Sequence, residues 1–197
     1  MRLHSDEPPE DDESTGEEHA LFFSQIWAEA VLRHAARSDQ IGSDRHKRLR
    51  AEDHDLSWTD PELPRVFRDW WAEQHELVWA SYQLERWQSR LATERGEAPI
   101  EQHAQLKLLR NALEHLDEAR FEGIAAYPTK PSDSLAKLPT GSLHVALGGG
   151  TAFIIDIASL VDRARSALTR MEQEHAEELD RREQAAVEWY MESQWRD

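Results

Sequence analysis

Apolar side chains recur every three or four positions along most of this 197-residue chain. This spacing places them on one face of an α-helix, and it constrains the fold more than any other feature of the sequence. One long stripe begins after Thr59 and Asp60, where Pro61 takes a position typical of the first residue of a helix, and it ends near Arg95. Its members are Leu63, Phe67, Trp70, Trp71, Leu77, Val78, Leu84 and Leu91.

Three more segments show the same period. One helix is predicted from about Ala20, followed by a polar stretch, residues 39–57, that we interpret as a linker. A third helix is predicted from about Pro99 to Glu122, where Gly123 is a typical residue after a helix end. The last helix is predicted over 157–197.

Just before the last helix, the spacing of apolar residues changes from that of an α-helix to that of a β-strand. Residues 142–156 hold two short apolar runs separated by three glycines, which predicts a hairpin with a glycine turn. A nucleotide-binding loop is the alternative for these glycines, but neither G-x-G-x-x-G nor G-K-[ST] is present. The predicted fold class is therefore mainly α: a helical bundle of about four helices, with a small β-hairpin inserted before the long last helix.

Charge divides the chain into three parts. Residues 1–18 hold eight acids against one arginine, and we predict a disordered acidic arm there. Residues 171–197 hold nine acids against three arginines and are predicted to form a charged helical extension. These segments carry −13 of the net charge of −16, which leaves −3 on the predicted helical domain, residues 19–170. The acid excess argues against a duplex-DNA binder, although a small phosphate site remains compatible with it.

Other classes of protein are excluded by what the sequence lacks. Without cysteine there is no disulfide scaffold, thiolate zinc site or cysteine nucleophile. No apolar run approaches the roughly 20 residues that span a bilayer, and the start has no signal-peptide core. We expect a cytoplasmic chain that makes no membrane contact.

The third predicted helix carries the residues of greatest chemical interest. Leu106, Leu109, Leu113 and Leu116 form its apolar stripe, and the opposite side is polar. Asn111 and His115 lie one turn apart on that polar side, with Arg110 about 140° around the helix from His115. Arginine binds phosphate with two parallel hydrogen bonds, histidine transfers protons near neutral pH, and an amide orients either group. These residue types suit phosphodiester chemistry.

Arg110-Asn111-x-x-x-His115 resembles the R-[ND]-x-x-x-H form of the HEPN signature, R-x4-6-H. HEPN proteins are small all-α bundles, and many are metal-independent ribonucleases of toxin–antitoxin, abortive-infection and RNA-processing systems. The resemblance implies that Arg110 holds the scissile phosphate, His115 transfers a proton and Asn111 supports their geometry. It also implies attack by the 2′-hydroxyl, a site shared by a homodimer, no metal or cofactor, and RNA and an antitoxin or other protein as partners.

The surroundings of the motif decide how specific it is. The bare R-x4-6-H pattern occurs four times, and only after Arg110 does an asparagine follow. Asp117 stands where one toxin branch has the tyrosine of H-x-Y, so control through that tyrosine is not expected. Nearby acids would repel RNA unless they lie in a dimer contact: Glu114, Asp117, Glu118 and Glu122.

Two other functions remain open. In a non-catalytic interaction module, Arg110 and His115 would form ordinary ion pairs with Glu114 and Glu118, and the tryptophan-rich helix would bind a partner instead of filling the core. A di-iron carboxylate bundle would need two Glu-x-x-His motifs, and only Glu172-x-x-His175 fits.

Overall fold

The computed structural model describes residues 15–51, 62–145 and 155–194. Four helices surround one core, and three short strands lie between the third and fourth helices, which confirms the predicted fold class. The helices are α1 (Gly16–Ala51), α2 (Glu62–Glu94), α3 (Ala104–Glu114) and α4 (Ile157–Gln194). The strands are β1 (Arg120–Glu122), β2 (Ala125–Tyr127) and β3 (Leu143–His144).

A capping box starts α1. The hydroxyl of Thr15 accepts a hydrogen bond from the backbone N–H of Glu18 at 3.2 Å, and the Glu18 carboxylate accepts one from the N–H of Thr15 at 2.7 Å. The helix therefore begins at Gly16, inside the segment predicted as arm, while residues 1–14 lie outside the described residues. The T-x-x-E signal for this start is present in the sequence.

The first two helices run antiparallel. Phe23 near the start of α1 stacks on Trp87 near the end of α2, with 4.4 Å between the ring centroids. Farther along α1, Nδ1 of His34 lies 2.8 Å from a carboxylate oxygen of Glu73. The predicted linker 39–57 is helical as far as Ala51 and then lies outside the described residues. α2 agrees with its predicted extent, except that the predicted start at 59–61 is also outside them.

The fourth helix is parallel to α2, because Arg163 pairs with Glu85 and Arg95, just after α2, pairs with Glu174, each at 2.7 Å. About 20 residues of α4 follow Glu174, which corresponds to about 30 Å of helix beyond these contacts. Of these, residues 175–192 are exposed apart from Glu178, which is partly buried.

The core lies between the helices and the small sheet. Aliphatic residues of every helix and of the sheet region contribute to it, and burial of their apolar surface is the main stabilising term. The largest fully buried side chains in the described part are Leu77, Leu91, Leu106, Leu109, Leu143 and Val31. The tryptophans of α2 are only partly buried, so they border the core rather than fill it.

The third helix ends at Glu114, eight residues before its predicted end. His115 leaves helical geometry (φ −107°, ψ 23°) and a 3-10 turn follows. Gly123 has a φ of 58°, and it forms the β1–β2 turn instead of terminating a helix. The prediction failed because a glycine with positive φ suits a hairpin turn as well as a helix end.

The sheet is antiparallel with strand order β1-β2-β3. Phe121 pairs with Ala126, and Ala126 in turn pairs with Leu143. The first strand of the predicted hairpin over 142–156 is β3, and it pairs with β2. The glycine turn and most of the second predicted strand, residues 146–154, lie outside the described residues.

Within the described part of the chain, no helix combines the length and the apolar character needed to cross a bilayer.

Candidate functional site

Arg110 lies where α3 packs on α2. Its guanidinium carbon is 5.0 Å from the ring centroid of Trp79 and 5.1 Å from that of Tyr82, two residues one turn apart on α2. Both distances are within the range of cation–π attraction. Arg110 does not belong to the predicted apolar stripe of this helix, but its side chain is only 23% exposed because these rings cover it.

Two further contacts fix the orientation of the Arg110 guanidinium. Nη1 donates a hydrogen bond to Oδ1 of Asn111 at 3.0 Å, and Nη2 forms an ion pair with the Glu114 carboxylate. Nε is buried and has no acceptor among the described groups. The Arg110 guanidinium is thus held in a defined plane with Asn111 as its neighbour.

His115 lies just beyond the end of α3 and is half exposed. Its Nδ1 is 2.8 Å from a carboxylate oxygen of Glu118. This hydrogen bond and the charge of Glu118 raise the pKa of His115 above its usual 6.5, and the nearby charges of Glu114 and Asp117 act in the same direction. A larger fraction of this imidazole is therefore protonated at neutral pH than in a free histidine.

The structure brings together two of the three predicted site residues. Arg110 and Asn111 share a side-chain hydrogen bond, whereas His115 is connected to Asn111 only through its backbone N–H, which donates to the Asn111 carbonyl at 3.3 Å. No side-chain contact among the described residues joins His115 to Arg110. One chain therefore holds the guanidinium and the imidazole in separate environments.

Arg110 also borders an open groove of about 620 Å³ between the start of α1, the second half of α2, and α3. We call it the arginine groove. It is lined by Gly16, His19, Tyr82, Gln83, Arg86, Trp87, Arg90 and Arg110. Three arginines, one histidine and two aromatic rings meet there in a chain whose net charge is −16.

The arginines of this groove differ in how far their charges are neutralised. Arg86 is exposed, lies 6.0 Å from the centroid of the Tyr82 ring, and has no carboxylate partner among the described residues. Arg90 forms an ion pair with Glu94, and Arg110 pairs with Glu114. The positive charge most available to an anion is therefore that of Arg86.

This groove was not among the sites predicted from the sequence. Tyr82, Arg86 and Arg90 follow one another at intervals of four on α2, which places them on one helix face. That interval was the available signal. His19 on α1 could not be assigned to the same place without knowledge of how the helices pack.

Within residues 15–51, 62–145 and 155–194, no group of three or more histidine, aspartate or glutamate side chains is arranged to hold a metal ion. Comparisons with models of protein families, with curated proteins and with solved structures find no match to this chain. The resemblance to HEPN proteins rests on Arg110-Asn111-x-x-x-His115 and the helical bundle around it.

Proposed function

We propose that this chain is a HEPN-like, metal-independent endoribonuclease of a toxin–antitoxin or phage-defence system, acting as a homodimer. Arg110 binds the scissile phosphate, Asn111 orients the guanidinium, and His115 transfers a proton. The observation that supports this proposal best is that Arg110, held by Asn111, borders a groove shared with Arg86 and Arg90.

The reaction proposed is attack of the 2′-hydroxyl on the adjacent phosphorus. The O2′–P bond forms, the P–O5′ bond breaks, and a 2′,3′-cyclic phosphate and a 5′-hydroxyl remain. The Arg110 guanidinium offsets negative charge that develops on the non-bridging oxygens. A protonated His115 donates its proton to the leaving 5′ oxygen, and a neutral His115 accepts the proton of the 2′-hydroxyl.

Two copies of the chain suit this scheme better than one. A single chain keeps the side chains of Arg110 and His115 in separate contacts, and His115 is exposed at the end of α3 where a second copy can approach it. The scheme also needs one acidic and one neutral imidazole at a time, and two copies of His115 supply both.

A cleavage assay on purified RNA in the presence of a chelator tests the proposal. We expect the wild type to release fragments ending in 2′,3′-cyclic phosphate, and Arg110→Ala, Arg110→Lys and His115→Ala to reduce the rate by about 10²-fold or more. His144→Ala, at an exposed histidine of β3, is the matched control and should cleave at the wild-type rate. Intact RNA with the wild type, or equal rates in all variants, would contradict the proposal.

The non-catalytic interaction module is the second candidate, and one observation favours it. Arg110 pairs with Glu114 and His115 with Glu118, which are the two ion pairs expected on that interpretation. In that case His115→Ala leaves RNA chemistry unchanged because there is none to lose, and a purified wild type that never cleaves RNA decides for the module.

A further inference from the structure

We propose that the arginine groove binds single-stranded RNA, with a phosphate against Arg86 and a base against the rings of Tyr82 and Trp87. This inference rests on the proposed function, because it names the substrate class and places the strand beside Arg110. It adds residues outside the R-N-x-x-x-H motif to the RNA-binding surface.

Arg86 is the cation of the groove that is best placed to bind a phosphate. This guanidinium is exposed and lies in the groove, where its Nη1 donates a hydrogen bond to the Tyr82 hydroxyl at 3.4 Å. It has no competing carboxylate among the described residues, so a phosphate can bind it without displacing an anion. Arg90 differs, because it already pairs with the Glu94 carboxylate. A phosphate must displace that carboxylate or share the Arg90 guanidinium with it. The groove is therefore expected to bind phosphate most strongly at Arg86 and more weakly at Arg90.

Two aromatic rings, those of Tyr82 and Trp87, line the same groove. Trp87 is fixed by stacking on Phe23 at 4.4 Å, and Tyr82 is fixed by the Arg110 guanidinium. Aromatic rings beside a cationic groove are the usual means of binding single strands, because every unpaired base has a π-face that can stack. The rings are held in place before the strand arrives, so little side-chain entropy is lost on binding.

Size and charge both disfavour a duplex. A groove of about 620 Å³ is comparable to a small-molecule pocket and admits individual nucleotides rather than a double helix. Bases inside a duplex are stacked on each other and cannot reach the two rings. The net charge of −16 argues against a broad basic surface that could follow two phosphate backbones.

Binding of a short single-stranded RNA oligonucleotide with 2′-O-methyl groups tests the inference, because this ligand cannot be cleaved by the proposed reaction. In fluorescence anisotropy at about 50 mM salt, Arg86→Gln should weaken affinity by about five- to tenfold, and it should reduce the slope of log K against log salt by about 0.7. Arg90→Gln should have a smaller effect. Arg165→Gln removes the same charge from an exposed site on α4 and should bind as the wild type does.

Stacking is tested separately with Trp87→Leu, compared with Trp87→Phe. We expect about tenfold weaker binding for leucine and a smaller loss for phenylalanine, which retains a ring. Thermal unfolding of both variants verifies that the fold is intact; if the leucine variant is unfolded, Arg86→Gln decides the question, since its side chain is exposed.

The outcomes separate this inference from the proposed function. If Arg86→Gln binds as tightly as Arg165→Gln, or if an RNA duplex binds as well as the single strand, the groove is not the site, even if the wild type cleaves RNA. If binding depends on Arg86 but unmodified RNA stays intact, the groove inference holds and the nuclease proposal fails. If no RNA is bound at all, the groove inference is wrong.

Discussion

The guanidinium of Arg110 lies over the ring of Trp79, with 5.0 Å between its central carbon and the ring centroid. This contact connects the short helix α3 to the much longer α2. Cation–π attraction of a partly desolvated arginine contributes on the order of 1 kcal/mol. Arg110 therefore stabilises the bundle in addition to any role in binding phosphate.

Arg110→Lys is expected to lower the free energy of unfolding by about 1–2 kcal/mol, because a lysine ammonium cannot stack flat on Trp79 and Tyr82 while bonding Asn111. Urea unfolding measures the loss. Lys107→Gln, at an exposed position of the same helix, is the control and should stay within about 0.5 kcal/mol of the wild type. Equal stability of the Arg110→Lys protein and the wild type would mean that the ring contacts contribute nothing.

The helical part of the fold could be predicted because the spacing of apolar residues along each helix indicates which face is buried. Leu106, Leu109 and Leu113 were assigned to the core face of the third helix, and the structure buries all three. The end of that helix could not be predicted, since Leu116 continues the apolar stripe without interruption. The chain instead passes through a 3-10 turn into the pairing of β1 with β2, which the local pattern does not encode.

The candidate site was likewise predictable from the sequence only in part. The proximity of Arg110 and Asn111 follows from adjacency in the chain, so the sequence could predict it. The position of His115 depended on a helix that had already ended, so the projected angle of about 140° does not apply to it. The arginine groove requires α1 and α2 to pack side by side, which no single helical projection contains.

The carboxylate of Glu118 is expected to control the pKa of His115. In Glu118→Gln the imidazolium loses its charged acceptor, so the pKa of His115 should fall toward 6.5. NMR titration of the imidazole proton of His115 measures the change, and the other histidines in the same spectra serve as internal controls. An unchanged midpoint for His115 would show that the Glu118 contact does not form in solution.

The raised pKa of His115 makes the stability of the fold depend on pH. Because the pKa of His115 is raised in the folded chain, the His115–Glu118 contact stabilises the fold fully below about pH 6.5, and that contribution is lost as pH rises through the folded-state pKa. The stability difference between the wild type and Glu118→Gln should therefore shrink from mildly acidic to mildly alkaline pH. A difference that grows over this range would contradict the assignment.

The pair of Glu85 and Arg163 predicts a different pH dependence. Burial raises the pKa of Glu85 in spite of the backbone N–H of His103 and the charge of Arg163, both of which lower it. A carboxyl whose pKa is raised by folding costs stability as pH rises from its unfolded pKa through its folded pKa. Removing the Arg163 charge raises the pKa of Glu85 further and increases that cost.

Arg163→Gln should therefore lose more stability at about pH 7 than at about pH 4, with a loss near neutrality of about 2 kcal/mol for an uncompensated buried charge. Urea unfolding at both pH values measures the loss. Arg165→Gln, an exposed arginine two positions along α4, is the matched control and should show little loss at either pH. An Arg163→Gln loss that is equal at both pH values would mean that Glu85 is not the group that responds.

The acidic segment before α1 is expected to weaken RNA binding. Residues 1–14 contain six acids and one arginine, and they join the chain next to Gly16, which lines the arginine groove. Because the segment is joined covalently to a residue beside the groove, we expect its charge to repel RNA or to compete with it at low salt. Removal of residues 1–14 should tighten binding of the single-stranded oligonucleotide by several-fold at about 50 mM salt, with the effect fading at higher salt. The deletion must stop at residue 14, since Thr15 and Glu18 form the capping box of α1 and Glu17 pairs with Arg95.

A full-length variant with the six acids replaced by Asn and Gln separates the effect of charge from that of bulk. Equal affinity of this variant and the deletion for the oligonucleotide identifies charge as the cause. Wild-type affinity in both shows that the segment does not act on the groove.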